Sequence, residues 1–187
     1  MLSYGFYIGR FQPFHNGHLK MVLEALKQVN HLIIFIGSSS TERILKNPFI
    51  ASERQEMIHG CLSDDDKKRV SYAFVADHPD DNVWYETIRE NISKVVHASH
   101  IPCEDKQIAL IGYEKDASSY YLKNFEQYSN LMTKESYFEN LSSTPIRNLY
   151  FGETKINEQC VPSYVVQFMN EFMSTVDYAK LSSQMHS

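Results

Sequence analysis

The segment Gly9-Arg10-Phe11-Gln12-Pro13-Phe14-His15-Asn16-Gly17-His18 gathers residue types that can handle a charged ligand. It leaves an aromatic and β-branched run and enters a helical pattern. His15 and His18 are three residues apart and share a face as that helix begins. Gly17 removes a side chain between them, and Gly9 lets the backbone turn closely under a ligand. The helix start adds unpaired N–H groups and a positive partial charge. Together these make a cradle for a polyphosphate. An arbitrary H-x-x-H pair is more often two polar surface residues. A zinc site is a weak reading, because no further ligand pattern accompanies the pair.

The elements that must hold this segment alternate. Tyr4 to Ile8 reads as a short buried strand, and apolar residues from Leu19 to Val29 follow helical spacing. His31 to Ile36 reads as a buried parallel strand ending at Gly37-Ser38. A helix opens at Ser52, with Ser52 as N-cap and Gln55 completing a capping box. Then come a strand over Val70 to Val75, a helix over Trp84 to Val96, strands over Ile108 to Ile111 and near Tyr128 to Met132, a capped helix start over Ser142 to Tyr150, and a helix over Pro162 to Met173. This order predicts an α/β fold with a doubly wound parallel sheet, covered on both faces. Ligands then bind in loops at the carboxyl ends of the strands, here Gly9–His18, Gly37–Phe49, Ala76–Trp84 and Gly112–Ser119.

The chain has 187 residues, 43% hydrophobic and 22% charged, which fits a single domain over residues 1–187 with a helical part from about 150. A net charge of -5 argues against a general nucleic-acid coat but leaves room for a local anion site. Three cysteines, at 61, 103 and 160, lack metal spacing and cannot all pair internally. With no membrane-length apolar run and no signal-peptide pattern, the expectation is a cytoplasmic protein.

The segment GRFQPFHNGH resembles the HxGH signature of the nucleotidyltransferase superfamily. Its GRFQPFHxGH form is that of archaeal-type nicotinamide mononucleotide (NMN) adenylyltransferases and of bacterial relatives fused to a Nudix hydrolase. Leu141-Ser142-Ser143-Thr144-Pro145-Ile146-Arg147, by itself an ordinary helix cap with an early proline, is similar to the family's SSTxIR element. Lys46-Asn47-Pro48-Phe49 followed by Ser52-Glu53-Arg54 resembles the family's (R/K)-(N/D)-P-F…ER stretch. Lys46 stands where many archaeal members have arginine, and lysine cannot make the bidentate fork. Asp81-Asn82-Val83-Trp84 resembles the segment whose tryptophan stacks on nicotinamide, although a lone tryptophan is normally core. Ile111 to Asp116 and Ser118 to Lys123 are close to the Nudix-fused members. The resemblance covers about residues 4 to 175. No Nudix box occurs in these residues, so no hydrolase activity is expected of this chain.

The resemblance implies a Rossmann-like nucleotidyltransferase fold and the reaction ATP plus NMN to NAD plus pyrophosphate. The NMN phosphate, whose second pKa is about 6, is already a nucleophilic anion, so no strong general base is needed. Catalysis then comes from positioning and charge stabilisation. By the same resemblance, His15 and His18 surround the triphosphate, while Arg10, Lys46 and Arg147 share the phosphates. Gly9, Phe11, Gly112, Asp116, Ser143 and Thr144 contact ATP, and Gly37, Ser38, Asn82 and Trp84 contact NMN. Mg2+ arrives with ATP, held largely through water. No nucleic-acid or membrane partner is implied, and a homo-oligomer is left open. The alternatives are a sister transferase using CTP or another phosphorylated acceptor, and a nucleotide-binding module without turnover. Class I aminoacyl-tRNA synthetases share the HxGH logic, but no KMSKS-like loop is present. A purely structural α/β protein leaves two phosphate motifs unexplained.

Overall fold

The computed structural model describes residues 1–40, 42–99, 103–113, 124–133 and 141–185. Among these the elements run β1 (Leu2–Gly9), α1 (Asn16–Leu26), β2 (Val29–Ile36), α2 (Ala51–Gly60), α3 (Asp64–Lys67), β3 (Val70–Phe74), α4 (Asp81–Ala98), β4 (Ile108–Tyr113), β5 (Ser129–Thr133), α5 (Ser143–Glu153), α6 (Ser163–Phe172) and α7 (Val176–Met185). The five strands form one sheet in the order β3-β2-β1-β4-β5, every pair parallel. The expected doubly wound α/β architecture is therefore present.

Strand alternation divides the core. In β2, Leu32, Ile34 and Ile36 point to one face, while Ile33 and Phe35 point to the other. The first face is covered by α1, α2 and α5 to α7, through Val22, Met57, Tyr150, Val165 and Leu181. The second is covered by α4 through Ile88 and Ile92, with Phe125 and Tyr128 beside them. Leu32 through Ile36 are each 0% exposed. At about 1.5–3 kcal/mol per buried large apolar side chain, that run is stable only beneath helices on both sides, which is why β2 lies inside the sheet.

Several boundaries move from where the sequence put them. β2 begins at Val29, because Val29 pairs with Leu2, so α1 ends at Leu26. α2 begins at Ala51, and the N–H of its cap residue Ile50 donates to Glu53 at 2.9 Å. Ser52 and Gln55 therefore do not form the cap: the carboxylate lies one turn from Ile50, and Ser52 is already helical. α4 begins at Asp81, capped by the Asp80 carboxylate accepting from the Asn82 N–H at 2.9 Å. α7 falls inside the helical part expected from about residue 150, although the sequence delimits no separate helix there, and it docks through Tyr178 and Leu181. Among the described residues no helix is long and apolar enough to cross a membrane.

Candidate active site

The β1–α1 loop folds around its two histidines. His15 is the N-cap of α1, and its Nδ1 accepts the His18 N–H at 3.3 Å. In return the His15 N–H donates to His18 Nδ1 at 3.2 Å. The rings stack with centroids 3.5 Å apart and planes 15° apart. Because each Nδ1 accepts a backbone proton, each neutral imidazole carries its own proton on Nε2. Phe14 stacks on His18 at 5.6 Å, and the Phe11 ring meets its edge at 5.0 Å. Gly17 leaves room for this pairing, since a Cβ there would press on His15 Cε1 at 3.1 Å and on Leu141 Cδ1 at 3.2 Å.

Gly9 has a different reason from the one its sequence suggests. A Cβ at Gly9 would fall 2.6 Å from the Phe11 ring, so the glycine makes room for Phe11. Phe11 itself is 1% exposed and takes φ 51°. Its side chain is thus core, and only its backbone can face a ligand. Ser38, after β2, takes φ 50° and is buried. Left-handed backbone at a non-glycine residue costs on the order of 1 kcal/mol or more, so both loops are held by their surroundings.

The holders are polar side chains from distant segments. The Gln12 amide donates to the Phe49 carbonyl at 2.8 Å, and its oxygen accepts the Phe49 N–H at 3.0 Å. Arg147 donates to the Gln12 carbonyl at 2.8 Å and to Thr144 Oγ1 at 3.2 Å. Ser143 Oγ donates to the Pro13 carbonyl at 3.1 Å, and Ser142 caps α5. Arg54, 1% exposed, donates to the carbonyls of Arg10 and Gly37, both at 2.7 Å, of Ser38 at 3.2 Å and of Ile50 at 3.3 Å. Burial, and the Arg10 charge after it, hold Arg147 below its ordinary pKa. Burial pushes Arg54 down to about 10, with Arg10 adding to it and Glu53 and Asp77 opposing.

Over the carboxyl ends of β1 and β2 lies a cavity of about 390 Å³, lined among others by Gly9, Arg10, Gly37, Ser38, Asp77 and Trp84. Its size is that of a small-molecule site. Trp84 is half-buried at its wall, in the first turn of α4, and meets the Tyr85 ring edge-on at 5.5 Å. Asn82 is exposed and does not line this cavity, because the cap at Asp80 takes its N–H and the helix turns its side chain elsewhere. Lys46 is exposed at the tip of a turn closed by the Ile44–Asn47 bridge. Gly112 is buried in β4, opposite Met132. Asp116 lies outside the described residues. Gln12 and Arg54 carry site geometry that their residue types alone do not announce. Each stands inside a quoted motif, and that membership was the available signal.

The chain belongs to the cytidylyltransferase-like family, which it matches over residues 6–149. Within that class its likeness is to the mononucleotide adenylyltransferases. It is 38% identical over 183 residues to the nicotinamide/nicotinic acid mononucleotide adenylyltransferase of Acinetobacter baylyi, covering 97% of this chain and 93% of that one. It is 32% identical to the nicotinamide-nucleotide adenylyltransferase of Thermococcus sibiricus, over 89% of this chain and 83% of that one. A solved bifunctional NMN adenylyltransferase/ADP ribose pyrophosphatase from Francisella tularensis superposes with TM-score 0.86 at 29% identity, covering all of this chain and 54% of that chain. This chain thus spans about half the length of the Francisella protein, which has also been solved with AMP and a manganese ion.

Proposed function

We propose that this chain transfers the adenylyl group of ATP to nicotinamide mononucleotide, giving NAD and pyrophosphate, as a single transferase domain. The observation that carries the reading is a cluster of guanidinium groups around the β1–α1 loop. Arg10 acts electrostatically on both Arg54 and Arg147, and neither Arg10 nor Arg147 has a carboxylate partner among the described residues. Arginines without a direct carboxylate contact, held in place by buried struts, are what two phosphate-bearing substrates require.

In this reading an NMN phosphate oxygen attacks the α-phosphorus of ATP, a new P–O bond forms, and the bond to pyrophosphate breaks. The nucleophile is already an anion at neutral pH, so the protein's task is placement and charge. The Nε2–H groups of His15 and His18 donate to ATP phosphate oxygens and strengthen as charge moves toward pyrophosphate. Arg10, Lys46 and Arg147 neutralise the phosphates. The half-buried indole of Trp84 stacks on the cationic nicotinamide ring. Mg2+ enters as part of the ATP substrate, bound by phosphate oxygens and water. We place the enzyme in the cytoplasm, where Cys61, Cys103 and Cys160, all free thiols, stay reduced.

The test is incubation with Mg2+, ATP or CTP, and NMN, nicotinate mononucleotide or another phosphorylated acceptor, with pyrophosphate and dinucleotide both measured. NAD formed from ATP and NMN is the expected result. Turnover only with another pair makes it a sister transferase, and nucleotide binding without pyrophosphate makes it a binding module.

A further inference from the structure

We propose that Tyr85 is a positioning residue for Trp84: its ring braces the indole at the cavity wall, so that the flat ring of a substrate meets a surface already in place. The inference rests on the adenylyl-transfer reading above only for the identity of that ring, the nicotinamide.

Trp84 is the fourth residue of α4, which begins at Asp81. Side chains of a helix lean toward its N-terminus, so the indole lies over the first turn, on the same face as Asp81 three positions back. Both residues line the cavity. α4 has no earlier turn to hold the indole from in front. Successive residues of a helix are about 100° apart around its axis. Tyr85 therefore falls on a different stripe, with Ile88, Ile92 and Val96, and is 6% exposed. It nevertheless lines the same cavity. Its ring meets the indole edge-on, with centroids 5.5 Å apart and planes 75° apart.

Tyr85 is itself fixed by the chain between β4 and β5. Asn124 Nδ2 donates to its hydroxyl at 2.8 Å, and the Phe125 ring meets its ring edge-on at 5.6 Å and 89°. Arg89, one turn further along α4, donates to the Asn124 carbonyl at 3.0 Å and sets its guanidinium 6.0 Å from the Phe125 ring. Asn124 and Phe125 are thus clamped to α4 at two successive turns. Packing alone accounts for a buried ring but not for a hydroxyl, whose burial is unfavourable without a hydrogen bond. The bond from Asn124 fixes the plane of the Tyr85 ring, and an edge-to-face contact depends on that plane. A ligand that stacks on an indole held in this way avoids the cost of ordering it.

Trp84 is the only tryptophan of the chain, so its fluorescence reports on this wall alone. Time-resolved anisotropy of the unaltered protein is expected to show the indole turning with the whole molecule. A dominant local rotation on the nanosecond scale or faster overturns the proposal, and this reading needs no variant to fold. Tyr85→Leu should add that local rotation and weaken NMN about two- to tenfold, the scale of ordering one side chain on binding. Its ATP affinity should change less than twofold, both ligands being measured by calorimetry. Tyr85→Phe keeps the ring and should lie between the unaltered protein and Tyr85→Leu in anisotropy and in NMN affinity. A folded Tyr85→Leu whose indole stays held, or which loses both ligands alike or neither, overturns the proposal, because a merely structural role has no preference for NMN. NAD made by a protein with a loose indole overturns the brace alone. A held indole in a protein that makes no NAD refutes the transferase reading alone.

Discussion

The stacked imidazoles of His15 and His18 are bound to each other's backbone, so their ring orientation is set before any ligand arrives. His18→Ala is expected to lower turnover at least about 100-fold, the scale of losing one preorganised transition-state donor. It also removes one of two reciprocal caps, at about 1 kcal/mol, so the melting temperature falls by only a few degrees. Steady-state kinetics with a thermal melt checks both, and near-normal turnover in a folded variant would remove the residue from the chemistry. Trp84 sits between two roles, half-buried against the second core and half presented to the cavity. Its cation–π contribution of roughly 0.5–2 kcal/mol corresponds to up to about thirtyfold in binding. Trp84→Ala should raise the Michaelis constant for NMN within that range and leave that for ATP nearly unchanged. Its stability cost should stay below the roughly 3–5 kcal/mol of a fully buried aromatic. Equal loss for both substrates would return it to the core.

Between elements, the site depends on side chains that bridge loops. Gln12 pairs with both backbone groups of Phe49, and its carbonyl in turn receives Arg147 from α5. Gln12→Glu keeps the shape, still accepts from the Phe49 N–H, and sets a carboxylate oxygen against the Phe49 carbonyl. Two buried oxygens then face each other without a proton, and each unsatisfied group costs roughly 1–3 kcal/mol or more when charged, which urea unfolding would read, together with a drop in kcat/KM for ATP. A variant of unchanged stability and activity would show that the two loops are held without this pair. Arg147→Ala, at the start of α5, is expected to weaken ATP use. If ATP affinity and turnover both stay as they were, the Ser142–Arg147 segment is a helix cap and nothing more. Arg43 works on the neighbouring loop, with a paired contact to Glu53, a 3.1 Å ion pair to Asp177 of α7, and its guanidinium 5.2 Å from the Phe172 ring. The turn that carries Lys46 is thus anchored to the C-terminal helices.

For the whole molecule, stability should be bounded on both sides of neutral pH. Burial, with the Arg69 charge second, holds His31 below its ordinary value. Below about pH 6.5 the unfolded chain takes up a proton there that the folded chain refuses, so stability falls as the pH drops. Burial pushes Tyr72 and Tyr150 up. Above about pH 10 the unfolded tyrosines lose protons that the folded ones keep, so stability falls again. Melting temperature against pH should therefore show a plateau between those limits. His31→Gln should flatten its acid shoulder below about pH 6.5, and an unchanged shoulder would assign that loss to other groups.

Much of this protein is written in contiguous residues. The unbroken apolar run of Leu32 to Ile36 and the segment from Gly9 to His18 determine a buried parallel strand, a loop at its neighbour's carboxyl end and a helix whose first turn carries two histidines, because continuity and local spacing set how a segment is buried. The tertiary structure decided what joins those pieces. Arg54 meets Arg10 from 44 residues away, Gln12 meets Phe49 from 37, and Arg147 meets Gln12 from 135. Such contacts leave no periodicity in the sequence. Why Gly9 is a glycine is hidden for a different reason: the ring of Phe11, two positions on, folds back over it from a left-handed turn that no local spacing announces.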